Sequence, residues 1–94
     1  MHVSIVIPIY NEFDNLPDLA EQVEKAMAPA NVAWELLCID DGSRDGSDRR
    51  LAELAEGRPW LKPLYLNRNY GQSTAMQAGF DAAQGEVIAT LDGD

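Results

Sequence analysis

Three stretches of this chain place oxygen-bearing side chains directly behind apolar runs. Tyr10-Asn11-Glu12 follows Val3-Ser4-Ile5-Val6-Ile7-Pro8, Asp40-Asp41-Gly42-Ser43 follows Trp34-Glu35-Leu36-Leu37-Cys38-Ile39, and Asp92-Gly93-Asp94 follows an apolar run that ends at Leu91. Asp-x-Asp behind a strand suits a divalent cation, because hard cations take oxygen ligands and keep part of their water shell. Adjacent carboxylates such as Asp40 and Asp41 repel each other, and a sequence shaped by stability alone would rarely keep both. One of them could accept from the N3–H of uracil or from a guanine edge, and from a ribose hydroxyl. Tyr10 can stack on a base, and Glu12 can accept from base or ribose. A fourth cluster, Leu66-Asn67-Arg68-Asn69-Tyr70-Gly71-Gln72, carries the best-placed cation of an acidic chain. Arg68 could meet a phosphate, or hold Asp40 or Asp92 in place, and the helix start behind it offers N–H groups to an anion.

Each cluster also has a plainer use. Glu12 can sit at an ordinary helix start, Asp92-Gly93 can turn a hairpin, and Arg68 can make a structural salt bridge. Asp45 and Ser47 read as structural, an Asx-turn and a helix cap. The combination is what favours chemistry: if the apolar runs are parallel strands, all four clusters fall on one edge of one sheet. That arrangement describes a metal-assisted nucleotide site.

The bulk numbers agree with a small folded unit. The chain has 94 residues, 46% of them apolar, which suits a globular core rather than disorder. Sixteen acidic against seven basic residues give a net charge of −9, which disfavours nucleic acid and anionic membrane as partners. An acidic rim accepts a diphosphate only with a cation between them, so a nucleotide function implies a metal. Asp18, Glu21, Glu24, Glu53 and Glu56 fall on polar helix faces and serve solubility. The lone cysteine, Cys38, lies in an apolar run and reads as buried filler, so no disulfide framework exists. No apolar run approaches the roughly 18 residues of a membrane span, and no basic-then-apolar signal pattern opens the chain. The expected location is cytoplasmic, or the cytoplasmic face of a membrane for a longer parent in which apolar spans follow. His2 reads as part of a solvated terminus.

Hydrophobic periodicity supplies the elements that must position the clusters. Strands are expected at about 3–8, 34–39, 61–66 and 86–91, and helices at about 15–28, 46–56 and 72–84. Pro8, without an N–H, is expected to end the first ladder. In the first helix Leu16, Leu19, Ala20, Val23 and Met27 form one buried stripe, with Asp14 or Asn15 as cap, Pro17 in the first turn and Pro29 as the stop. In the second, Leu51, Leu54 and Ala55 face inward behind a possible Asp45 cap, and Gly57 ends it. The third carries Ala75, Ala78, Gly79, Ala82 and Ala83 on one side, a face that lets a helix approach a sheet closely, and stops at Gly85. The β-α-β-α-β-α-β series gives an α/β, Rossmann-like parallel sheet with right-handed crossovers and ligands beyond the carboxyl ends of the strands. Strand four is expected beside strand one, which brings Asp92 and Asp94 close to Tyr10 and Glu12.

Pro8-Ile9-Tyr10-Asn11-Glu12, Ile39-Asp40-Asp41-Gly42-Ser43-Arg44-Asp45-Gly46, Asn67-Arg68-Asn69-Tyr70-Gly71, Ala78-Gly79 and Leu91-Asp92-Gly93-Asp94 resemble the nucleotide-binding half of family 2 glycosyltransferases, which have the GT-A fold. Within that family, Tyr-Asn-Glu, Arg-Asn-Tyr-Gly and the stretch from Ala78 to Gly85 are most similar to the polyprenyl-phosphate glycosyltransferases. Those relatives more often carry Ala where Gly93 stands. The resemblance implies sugar transfer from a UDP- or GDP-linked donor to an acceptor, a polyprenyl phosphate, with inversion. It implies a nucleotide-binding set of Pro8, Tyr10, Glu12, Asp40, Asp41, Arg68 and Asp92, with Asp92 and Asp94 holding Mg²⁺ or Mn²⁺. Because such enzymes run well beyond Asp94, residues 1–94 are expected to be a donor-binding part without an acceptor half or a catalytic base. The expected consequences are a catalytically silent chain and self-association through the open edge of strand four.

Other classes fit less well. A non-catalytic nucleotide-binding or interaction module uses the same residues without chemistry. A dinucleotide dehydrogenase would place Gly-x-Gly-x-x-Gly where Pro-Ile-Tyr-Asn-Glu stands. A phospho-accepting receiver would carry its acidic pair after strand one, and a sugar nucleotidyltransferase a glycine-rich loop at Tyr10-Asn11-Glu12.

Overall fold

The computed structural model describes residues 2–91. The elements run β1 (His2–Ile9), α1 (Leu16–Met27), a 3₁₀ turn (Ala28–Ala30), β2 (Ala33–Asp40), α2 (Ser47–Ala55), β3 (Leu61–Tyr65), α3 (Gln72–Ala82) and β4 (Val87–Thr90). All pairings are parallel, in the order β3-β2-β1-β4. The order reverses at β1, which puts β4 beside β1 as a Rossmann-like order predicts.

Side chains of β1 alternate between two cores. Ile5, Ile7 and Ile9 join Leu16, Ala20 and Val23 of α1, Leu36 and Cys38 of β2 and Leu51 of α2 on one face. Val6 joins Leu37, Ile39 and Ala75 on the other face, under α3. The small-residue face of α3 has its expected purpose. A Cβ at Gly79 would collide with Val6 Cγ1 and come within 2.8 Å of Ile39 Cδ1. Met76 is half-buried, while Phe80 is 38% exposed. Every residue of β4 is exposed, Val87 at 45% and Ile88 at 43%.

Pro8 does not end the ladder; β1 continues to Ile9, which pairs with Asp40. The reason lies in which way each backbone group points. The Val6 carbonyl accepts from Leu91 N–H beyond β4, and the Ile9 carbonyl accepts from Asp41 N–H beyond β2. Pro8 shares the side of Val6, where the described pairing with β4 ends at Thr90, so among the described residues no ladder pair is interrupted by its missing N–H.

At the opposite edge, buried Glu35 ties three segments together. Its Oε2 accepts from Ser4 Oγ at 2.6 Å and from Gln84 N–H at 2.8 Å, and Ser4 Oγ accepts from Gly85 N–H at 2.8 Å. Burial pushes the Glu35 carboxyl up, but these hydrogen bonds to its charged form, with the nearby His2 and Lys62, pull it below the ordinary value. Gly85 is thus a close-approach point for β1, while α3 itself ends at Ala82, with Ala83 already extended. Among the described residues no helix is long and apolar enough to cross a membrane.

Candidate functional site

The loops after β1 and β2 are stitched into one surface. Asn11, in the left-handed region at φ 53°, donates its N–H to Ser43 Oγ at 2.9 Å and accepts from Arg44 N–H at 2.9 Å through Oδ1. Glu12 N–H donates to Ser47 Oγ at 3.0 Å, and Phe13 N–H to Asp45 Oδ2 at 3.2 Å. Asp45 Oδ1 also accepts from Ser47 N–H at 3.0 Å, the expected Asx-turn, but the N-cap of α2 is Gly46 with no side-chain cap, so Asp45 does not cap the helix. Burial pushes the Asp45 carboxyl up, yet the donors from Ser47 and Phe13 outweigh it and hold it below its ordinary value. Asn15 occupies the N-cap position of α1 but makes no side-chain cap. Instead its Nδ2 donates to Glu12 Oε2 at 2.8 Å, while Asn15 N–H and Leu16 N–H donate to the Glu12 carbonyl.

Beyond the carboxyl ends of β1, β2 and β3 lies an open cleft of about 800 Å³. Its walls include Tyr10, Asp40, Ser43, Arg44, Asp48, Arg49, Tyr65, Asn67, Arg68 and Asn69. Asp40 is 3% exposed, and its Oδ1 accepts from Ser43 N–H at 3.2 Å. Burial raises its carboxyl above the ordinary value against that hydrogen bond, and the charges of Asp48 and Asp45 raise it further. Burial also raises the Tyr65 hydroxyl, with the Asp40 and Asp48 charges adding to it. Tyr10 and Tyr65 present half-exposed rings, at 45% and 49%. The Arg68 guanidinium lies 4.8 Å from the centre of the Tyr70 ring. Among the described residues no carboxylate is within ion-pair distance of Arg68, so the expected link to Asp40 is not made.

Of the residues expected from the sequence, Tyr10, Asp40 and Arg68 come together on this cleft. Pro8 lies within β1, Glu12 serves the start of α1, and Asp41 is buried under the loop ahead of α3. Asp92 and Asp94 lie outside the described residues. Among the described residues no group of three or more metal-ligating side chains converges. Leu91, however, is bonded to the Val6 carbonyl, which brings the chain to this same edge of the sheet next to β1. Arg44, Arg49 and Tyr65 join the cleft without having been singled out in the sequence. Helical spacing alone would group Asp48 and Arg49 with Ala52, four and three residues on, along one strip of α2.

What the cleft can do follows from these groups. It offers aromatic faces, the carboxylates of Asp40 and Asp48, amide side chains and three guanidinium groups, in a space large enough for a nucleotide.

Comparison with known proteins agrees with that geometry. The undecaprenyl-phosphate 4-deoxy-4-formamido-L-arabinose transferase of Klebsiella pneumoniae is 48% identical over 93 residues, covering 98% of this chain and 28% of its own. The enzyme of the same name from Pseudomonas fluorescens is 47% identical over 94 residues, with 98% and 27% covered. The chain therefore spans little more than a quarter of the curated relatives it matches. Among solved structures, a mannosyltransferase from Pyrobaculum calidifontis in complex with GDP-Man and Mn²⁺ superposes with a TM-score of 0.87 at 23% identity, over 98% of this chain and 27% of its own. TarS of S. aureus in complex with UDP superposes with a TM-score of 0.82 at 24% identity, over 100% and 28%. The parallel sheet is thus the Rossmann-like part of a GT-A fold. The family model described as glycosyl transferase family 2 matches residues 4–94, and the chain belongs to that family.

Proposed function

We propose that this chain is the donor-binding part of a longer glycosyltransferase that moves a sugar, with inversion, from a nucleoside diphosphate to a polyprenyl phosphate. The observation that carries the proposal is the cleft itself. A half-exposed Tyr10, an almost buried Asp40 acceptor and Arg68 share one cavity at the strand ends of a family 2 chain. The names of the 47–48% identical relatives support the acceptor class, and the GDP-Man and UDP held by proteins of the same fold support the donor class.

In this reading Tyr10 stacks on the base, the open oxygen of Asp40 accepts an N–H from the base edge, and Arg68 faces the phosphates. Asp92 and Asp94 fit a hard cation by their all-oxygen donor set and by the delivery of Leu91 to the edge beside β1. They would hold Mg²⁺ or Mn²⁺, which would supply neutralisation of the charge that builds on the leaving diphosphate. A phosphate acceptor has a second pKa near ~6, so its attacking oxygen is already ionised at neutral pH without a strong base from this chain.

Titration calorimetry with UDP and GDP, with Mn²⁺ and then with EDTA, tests the donor reading. Binding that strengthens with the metal is expected, and Asp92→Asn should remove the metal effect. Equal binding with and without metal would overturn the metal bridge, and no binding of either nucleotide would overturn the donor site.

A further inference from the structure

Asp41 is as buried as Asp40, at 3% exposure, but it is absent from the walls of the cleft. Its carboxylate is already occupied. Oδ1 accepts from Tyr70 N–H at 2.8 Å, and Oδ2 accepts from Gly71 N–H at 3.0 Å and from Asn69 Nδ2 at 2.9 Å. The Asp41 carbonyl takes a further bond from Asn69 Nδ2 at 3.1 Å. Two backbone amides leading into α3 are therefore taken by the protein's own carboxylate.

The residue after Asp41 presses on the same loop. Gly42 has φ +72°, and a Cβ there would run into the Arg68 carbonyl carbon and the Asn69 nitrogen. The Asp41-Gly42 turn thus meets three successive peptides of the loop at contact distance, which only a glycine permits. The loop braces itself as well: Tyr70 donates its hydroxyl to Asn67 Oδ1 at 2.7 Å, and the Arg68 guanidinium lies over the Tyr70 ring. Arg68 stands between the anchored residues and brings the loop's guanidinium to the cleft, beside Asn67 and Asn69.

We propose that Asp41 and Gly42 form a socket for residues 67–71, which makes Asp41 a positioning residue that acts on the nucleotide through Arg68 rather than by contact. The inference rests on the nucleotide-binding reading of the cleft. A long cationic side chain on a free loop must be ordered when ligand binds, and that entropy opposes binding. The socket orders the loop beforehand. Its hydrogen bonds run to an ionised acceptor, the stronger kind.

A double-mutant cycle on the protein separates positioning from contact. UDP and GDP are titrated, each with Mn²⁺, against wild type, Asp41→Asn, Arg68→Ala and the double variant. Each single change is expected to weaken binding roughly tenfold, the size of one lost hydrogen bond to a charged group. The double variant should bind no more than about twofold weaker than Arg68→Ala, since the socket then has no guanidinium to position. Gly42→Ala should follow the same pattern without altering any carboxylate, and thermal melts identify a variant that has unfolded. Losses that multiply, to about a hundredfold in the double variant, would mean that Asp41 touches the nucleotide and would overturn the proposal. Amide exchange in the nucleotide-free protein reports on the socket separately: Tyr70 and Gly71 should be protected in wild type and exchange faster in Asp41→Asn. Exchange unchanged by that substitution also overturns it. If wild type binds neither nucleotide while the exchange result holds, the donor reading has failed and the socket has not.

Discussion

Asp40 sits almost out of water, and the described residues bring it no ion-pair partner; burial, with Asp48 and Asp45 nearby, raises its carboxyl above 3.8. A carboxyl raised in the folded state favours folding while protonated and loses that contribution as pH climbs through its folded value. Asp40→Asn keeps an oxygen for Ser43 N–H and removes the charge. The variant should therefore melt higher than wild type at neutral pH, with the gain shrinking as pH falls toward 3.8, while UDP and GDP binding is lost. Melting curves at several pH values, paired with calorimetry, check both halves; a gain that persists at low pH would mean that charge is not its source. Asp40 and Tyr10 were legible in the sequence because a polar residue at the carboxyl end of a parallel strand has one edge to go to. Asp41 was not separable from Asp40 by type or position. Neighbouring side chains on a strand leave on opposite faces, and only the folded loop shows that one faces the cleft and the other faces backbone amides. Arg44 and Arg49 were hidden for a different reason, since exposed helix and turn arginines look alike until a β3 loop closes the other wall.

At the scale of elements, α3 and β1 meet through a missing side chain. Gly79 would gain helix propensity as Ala, on the order of 1 kcal/mol. Its Cβ would meet Val6 Cγ1 and Ile39 Cδ1, whose strands are fixed on both sides. Overpacking of that kind costs about 1–3 kcal/mol, so the clash should win and Gly79→Ala should lower stability. Urea unfolding checks the sign, and a stabilised variant would mean that α3 can lift off the sheet freely. Element types and order were legible because period-2 and period-3.6 patterns alternate cleanly along the chain. Element ends were less so. Gly85 looked like the stop of α3, but the Ser4 hydroxyl and His2 carbonyl occupy the space where its Cβ would be. Pro8 reads as the end of β1, although its missing N–H faces the side where the described β4 ladder has already ended at Thr90. Both misreadings assign to local conformation what a neighbouring strand decides.

For the whole molecule, one rule of handedness accounts for most of the site. Right-handed crossovers place α1 and α2 on one face and α3 on the other, and they turn every strand's carboxyl end toward the same edge. That topology was readable once the strands were. The distribution of charge was not, since net charge is a sum and carries no positions. Seven basic residues serve a chain of net charge −9, and three of them, Arg44, Arg49 and Arg68, stand on the cleft. An anionic nucleotide would thus approach a repelling body, 36 Å in its longest dimension, and attraction would begin only at close range. Added salt screens the distant repulsion first, because the Debye length falls from about 30 Å at 0.01 M to about 10 Å at 0.1 M. Stopped-flow mixing with UDP should therefore show an association rate that rises over that interval, opposite to the trend of a ligand steered by complementary charge; a rate that falls from the lowest salt onward would mean that the three arginines control the far field. If the rise is found, capture is slowest in the most dilute buffers, and the cell's own ionic strength becomes a working part of how quickly this surface is filled.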